Sequence, residues 1–111
     1  MEKLEHYRKL VKKLINEYGQ YKPRYGDIEV QKIFDVQGDH YQLMNVGWHG
    51  NRRLRGCVLQ IDLKNDKIWI QHDGTEIGIA NELVEWGVPP EDIVLAYHAP
   101  YKRQYTGFAV E

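Results

Sequence analysis

Between Ile28 and His72 the chain reverses three times on segments too short to hold a helix, and this constrains the fold more than any other feature. Gln37-Gly38-Asp39, Gly50-Asn51 and Asn65-Asp66 are turn-forming runs, and the stretches between them have the two-residue period of strands. Connections this short join antiparallel neighbours, because a parallel return needs a dozen or more residues. The segment therefore predicts four strands in an antiparallel meander.

The four strands differ in their burial pattern. Ile28, Val30, Phe34 and Val36 alternate with Glu29, Gln31 and Asp35, with Ile33 out of phase, as a half-buried strand would. His40 to Trp48 carries Tyr41, Leu43, Met44, Val46 and Trp48 on both faces, which suits a central strand. Arg53 to Leu63 aligns Cys57, Leu59, Ile61 and Leu63 on one side, and Lys67 to His72 aligns Ile68 and Ile70.

Helical spacing brackets the meander. Leu4, Tyr7, Leu10, Val11, Leu14, Ile15 and Tyr18 predict a helix over 2–18. Glu2 and Glu5 near its start and Lys12 and Lys13 nearer its end suit the macrodipole, Gly19 can close it in the left-handed conformation, and Tyr21-Lys22-Pro23 leads out as a loop. After the strands, Asp73 and Glu76 have capping-box spacing, with Thr75 as the alternative cap, for a helix bearing Ile77, Ala80, Leu83 and Val84. Gly87, Pro89 and Pro90 end it, Pro90-Glu91-Asp92 can make one more turn, and Ile93 to Tyr97 is a short apolar run. The tail from His98 has no clear period beyond an edge strand at its end.

The prediction is one α+β domain over 1–111: an N-terminal helix, a four-stranded antiparallel meander sheet, a second helix packed on the sheet, and an irregular C-terminal tail with a short strand. If the second sheet face is not covered within the monomer, the mixed faces of strands two to four need a partner surface, which argues for a homo-oligomer such as a dimer.

Composition narrows the function classes. Fifteen Lys plus Arg against 16 Asp plus Glu give a net charge of -1, without the basic excess of a protein that holds nucleic acid by bulk electrostatics. The single cysteine, Cys57, cannot close an internal disulfide, and no spacing fits a zinc site. A charged N-terminus and the lack of a long apolar run point away from secretion and the membrane, towards a reducing cytoplasm. Gly74 and Gly78 do not form a phosphate loop, so no cofactor is expected.

Few residues carry potential chemistry. His72, Asp73 and Glu76 could form an acid/base pair or a hard-metal site, but helix capping explains both acids without further parts. Cys57 has no activating base beside it, and its alternation with Leu59 and Ile61 places it in the core. His40 and His49 bracket the second strand as surface or interface residues. Arg52, Arg53 and Arg55, and Lys102 and Arg103 between Tyr101 and Tyr105, interleave cations with aromatics in the manner of a partner- or nucleic-acid-binding surface, against the plainer reading of a solvated face. Trp48, Trp69 and Trp86 are expected in the core, where an exposed one would mark an interface.

Longer stretches carry a resemblance. DHYQLMNVGW from Asp39, KIWIQHDGTE from Lys67, IGIANELVEWGVPPEDIVL from Ile77 and TGFAV from Thr106, together with the opening helix and Tyr25-Gly26-Asp27, resemble the XisI family, the fdxN element excision controlling factors. The resemblance runs nearly end to end. It implies a small, mainly cyanobacterial protein linked to programmed excision of a DNA element in heterocyst differentiation, alongside a site-specific recombinase and a companion, XisH, of restriction-endonuclease-like fold. It supplies no catalytic motif, so the reading is a non-enzymatic accessory factor acting through a XisH-type partner and auxiliary DNA contacts. The alternatives are a protein that binds DNA directly at the element ends, or a metal-dependent hydrolase or nuclease using His72, Asp73 and Glu76. Trp86 before Gly87, and Pro89-Pro90 in place of Pro-Lys, depart from the family pattern, and Pro90 removes a cation that could have met DNA.

Overall fold

The apolar stripe of Tyr7, Val11, Leu14 and Ile15 forms the buried side of α1, Glu2–Tyr18, in the computed structural model, which describes residues 2–21, 26–75 and 77–111. Its last turn carries no base, so Lys12 and Lys13 stop short of the dipole's negative end. Gly19 is not left-handed. Its N–H donates to the Ile15 carbonyl at 2.8 Å, and a Cβ there would lie 2.9 Å from that same backbone oxygen, so a side chain at this position needs a local shift of the chain. Lys22 and Pro23 of the expected loop lie outside the described residues.

The predicted meander is present as β1 (Asp27–Asp35), β2 (His40–His49), β3 (Arg52–Lys64) and β4 (Lys67–Asp73), all antiparallel. The turn between β3 and β4 is tight because Asn65 and Asp66 both accept positive φ, 55° and 60°. The sheet has five strands rather than four, since Ile93–Leu95 forms β5, parallel to β4 at the edge. That return is possible because the connection contains α2 (Ile79–Glu85) and a single 3-10 turn, Pro90–Asp92. Both helices lie on one face, over Tyr41, Leu43, Leu59, Ile61, Ile68 and Ile70.

At the β1 edge the half-buried pattern weakens. Ile28 is buried and Val30 packs on the core, but Phe34 leans outward against the Tyr41 ring, 6.0 Å between centroids, and Val36 falls past the strand into the turn, exposed.

In β3 one extra residue changes the faces. Leu43 opposes Leu59 and Met44 opposes Cys57, leaving Val58 as a bulge, its carbonyl accepting from the Gly74 N–H at 2.8 Å. Leu59, Ile61 and Leu63 therefore face the helices while Arg53, Arg55 and Cys57 face away. The strict alternation read from the sequence is broken here, so Cys57 is half-buried on the opposite face rather than in the core. Its thiol donates to the Leu59 carbonyl at 3.2 Å, and burial pushes its pKa up.

The β4 exit starts α2 later than sequence spacing predicts. Asp73 Oδ2 accepts from the Ile79 N–H at 2.9 Å, and Oδ1 accepts from the Thr75 N–H at 2.9 Å and its hydroxyl at 2.6 Å. Thr75 Oγ1 accepts from the Gly78 N–H at 3.2 Å. The loop so formed leaves Ile77 outside the helix, 75% exposed, and Val84 at its outer edge. Ile79, Ala80 and Leu83 make the buried side instead. Gly87, at φ 101°, ends the helix as predicted, with the Val88 N–H returning to the Leu83 carbonyl at 3.0 Å.

Polar ties fix α1 at both ends of the sheet. The Tyr7 hydroxyl donates to Asp92 Oδ2 at 2.5 Å, and Lys3 Nζ lies 2.9 Å from the same oxygen. Burial alone would raise the Asp92 pKa, but these two partners together hold it below the usual carboxylate value. Arg8 grips Asp39 with Nε at 2.8 Å and Nη2 at 3.0 Å, and the Tyr41 hydroxyl adds a bond at 2.9 Å. The Arg8 bonds hold Asp39 below its ordinary pKa.

The tail closes over the far edge. A 3-10 helix, Pro100–Tyr105, is followed by a return in which the Ala109 N–H donates to the Ile93 carbonyl at 2.8 Å, so the expected end strand is a single bridge to β5. The Arg103 guanidinium donates to the carbonyls of His98 at 3.1 Å and Ala96 at 3.2 Å and lies 5.7 Å from the centre of the Trp69 ring.

Two stability differences follow. A Cβ at Gly47 would lie 1.8 Å from the Asp27 carbonyl oxygen, so Gly47→Ala should cost about 2 kcal/mol or more and lower Tm by roughly 10 °C. Arg103→Ala should cost about 1–2 kcal/mol in urea denaturation, whereas Lys102→Ala, at an exposed position, should stay within about 0.5 kcal/mol.

Candidate interaction surfaces

The sheet face opposite the helices is covered unevenly. Over β4 and β5 the tail shields Trp69 and Val94, both buried, and the Trp69 indole N–H donates to the Lys64 carbonyl at 3.1 Å. Over β1 to β3 the face is open. Cross-strand pairing sets Asp27, Trp48 and Arg53 on one rung, Glu29, Val46 and Arg55 on the next, and Gln31, Met44 and Cys57 on the third. Trp48 is 49% exposed with the Arg53 guanidinium 5.1 Å from its ring centre, and Ile33 on the same face is 43% exposed. An open groove of about 890 Å³ wraps the β1 edge from Ile28 and Val30 to Glu29, Trp48 and Arg53.

Of the three tryptophans, Trp69 alone is fully in place as expected. Trp86 is half-buried against the core with Lys13 Nζ 4.5 Å from its ring centre, which accommodates the larger side chain before Gly87. Trp48 is the exposed one.

The second surface is the Pro100–Tyr105 helix. Tyr101 and Tyr105 are 69% and 81% exposed, and with Lys102, Leu95, His98 and Thr106 they border an open groove of about 630 Å³. Arg103 does not belong to this display, because its guanidinium is spent on the His98 and Ala96 carbonyls and on Trp69.

The cations singled out in the sequence thus form two groups, not one patch. Arg52, Arg53 and Arg55 lie on the part of β3 paired with β2 alone, whereas Lys102 and Arg103 lie on the Pro100–Tyr105 helix, with Arg103 against Trp69 of β4. Arg52 opposes His49 at the hairpin tip, and His40 pairs with Asp62 at 2.9 Å, which raises the His40 pKa.

The possible acid/base junction separates. His72 opposes Gln60 on the open face, while Asp73 opposes Leu59 on the helix face, where both its oxygens serve the α2 entry. Glu76 lies outside the described residues. Among the described residues no group of three His, Cys, Asp or Glu side chains could hold a metal ion, and no helix is long and apolar enough to cross a membrane.

Sequence reasoning missed the role of Trp48 and the division of β3. A signal was present: Arg53, Arg55 and Cys57 share odd-numbered parity with Leu59, Ile61 and Leu63, and a regular strand would have pointed arginines and leucines the same way.

Known proteins share this architecture. A XisI-like protein from Anabaena variabilis ATCC 29413 is 50% identical, with 97% of this chain and 99% of that one covered at a TM-score of 0.92. The fdxN element excision controlling factor XisI from Anabaena variabilis ATCC 29413 is 34% identical, with 98% and 99% covered at a TM-score of 0.86. None of the curated proteins matches. The family model described as XisI protein matches residues 1–110, and with the shared overall fold this places the chain in the XisI family.

Proposed function

We propose that this chain controls excision of a DNA element as a non-catalytic factor, by binding a XisH-type companion protein through the Tyr101, Lys102 and Tyr105 surface. Excision control rests on membership of the XisI family and on likeness to a protein named an fdxN element excision controlling factor. The observation that favours a protein partner is the pair of largely exposed tyrosines flanking Lys102 over an open groove. Tyrosine offers a large rigid contact area at low entropic cost, and anchors of this type dominate binding energy at interfaces. A net charge of -1 and two separated cation groups favour protein contact over wrapping of a duplex.

Affinity capture of the tagged chain co-expressed with its XisH-type companion tests the proposal. The intact chain should elute as a stoichiometric complex. Replacing Tyr101, Lys102 and Tyr105 together with alanine should weaken that complex by about 100-fold or more and leave the far-UV circular dichroism unchanged. Elution of the chain alone, or equal capture by the triple variant, contradicts it. Tight duplex binding that falls steeply with salt would favour the direct DNA-binding reading instead.

A further inference from the structure

We infer that the open face of β1 to β3 is a self-complementary surface that seats a second copy of this chain, with the two-fold axis running along the strands. This inference is independent of the excision reading. It rests on how charge is arranged in columns. Residues directly opposite one another across a ladder share a face, so the rungs Asp27–Trp48–Arg53 and Glu29–Val46–Arg55 stack an acidic column on β1, an apolar column on β2 and a basic column on β3. Acids and bases on a rung stand about 10 Å apart across two strand spacings, with Trp48 or Val46 between them. Asp27, Glu29, Arg53 and Arg55 form no ion pair with another described residue.

Two sheets can meet face to face about a two-fold axis in the plane of contact, and its direction decides the electrostatics. With the axis across the strands, β1 covers β1, and acids meet acids. With the axis along the strands, β1 covers the second copy's β3 on the same rung. Asp27 then meets the second copy's Arg53, Glu29 meets its Arg55, and Trp48, Val46 and Met44 pack against their own counterparts near the axis. The carboxylates at the other end of the face are engaged within the chain. Asp35 Oδ1 accepts from the N–H groups of Gln37 at 3.2 Å and Gly38 at 3.1 Å, and Asp62 is held by His40 at 2.9 Å and Gln71 at 3.2 Å. The contact is therefore centred on the Trp48 and Val46 rungs.

Charge also selects the occupant. The acidic column of Asp27 and Glu29 would repel a phosphate backbone lying along the arginines. A protein that fits needs a basic column, an apolar stripe and an acidic column in mirrored order, which this chain itself presents.

Sedimentation equilibrium of the intact chain at micromolar concentration should give twice the 13.1 kDa chain mass. The double variant Arg53→Glu/Arg55→Glu should dissociate with a Kd raised about 100-fold or more, and so should Asp27→Lys/Glu29→Lys, because each sets like charges against like. Mixed in equal amounts, the two variants should recover the dimer as a mixed pair, since every contact between them is then acid to base. That recovery also reports that both variants are folded. A monomeric intact chain, variants that remain dimeric through a contact elsewhere such as the β1 edge, or a mixture that stays monomeric would each overturn the inference.

Discussion

One extra residue in β3 decides which way the protein faces its surroundings. Val58 is not matched by a residue on β2, and from that point the strand's parity reverses. C-terminal to it, Leu59, Ile61 and Leu63 enter the core; N-terminal to it, the same parity would carry Arg53 and Arg55 under α1, where two unpaired guanidinium groups cannot be buried. The bulge turns them to the opposite face, beside Trp48. Its own carbonyl is satisfied by the Gly74 N–H at 2.8 Å, so the irregularity is held by the same segment that carries Asp73 into the α2 entry. Core formation and display of the arginines are consequences of one local event.

The rest of the molecule divides the sheet between closed and open regions. α1 and α2 cover one face except at the β1 edge, with Tyr7–Asp92 and Arg8–Asp39 as polar ties that choose the angle at which α1 crosses. Such bonds add modest net energy, but an unpaired Asp92, the one charged side chain buried among the described residues, would be costly, and this makes the tie specific. On the other face the tail, pinned by Arg103 and the Ala109 bridge, covers β4 and β5 and stops there. What remains open is a three-strand surface at one end and a tyrosine-flanked helix at the other, two places where exposed aromatic side chains stand beside cations.

Much of this was legible from local chemistry. Three short turns dictated the antiparallel order, the α1 stripe gave its buried side, and Gly87 with two prolines fixed the end of α2. The misses share a physical origin, in that they depend on pairing between segments distant in sequence. β5 joins β4 in parallel only because α2 and a 3-10 turn bring Ile93 back across the core, which the three-residue run Ile93–Leu95 cannot announce by itself. Gly78 is the N-cap of α2, and Asp73 accepts from the Ile79 N–H from six residues away, outside the three-residue spacing of a capping box. Arg103 looks like its neighbour Lys102 in sequence, and only the fold sets it against Trp69 and two carbonyls. The family resemblance reached the architecture, while the sorting of cations into separate groups required the register.

The face assigned to the N-terminal half of β3 is the claim on which the rest stands, and Cys57 is its natural probe. Alkylation of the native chain, diluted until monomeric, should proceed without denaturant at a rate that low urea does not change, because the thiol lies half-buried on the open face. Labelling that appears only as the chain unfolds would put Cys57 in line with Leu59 and Ile61 in the core, remove the bulge, and reverse the assignment of Arg53, Arg55 and Trp48 to a common exposed surface.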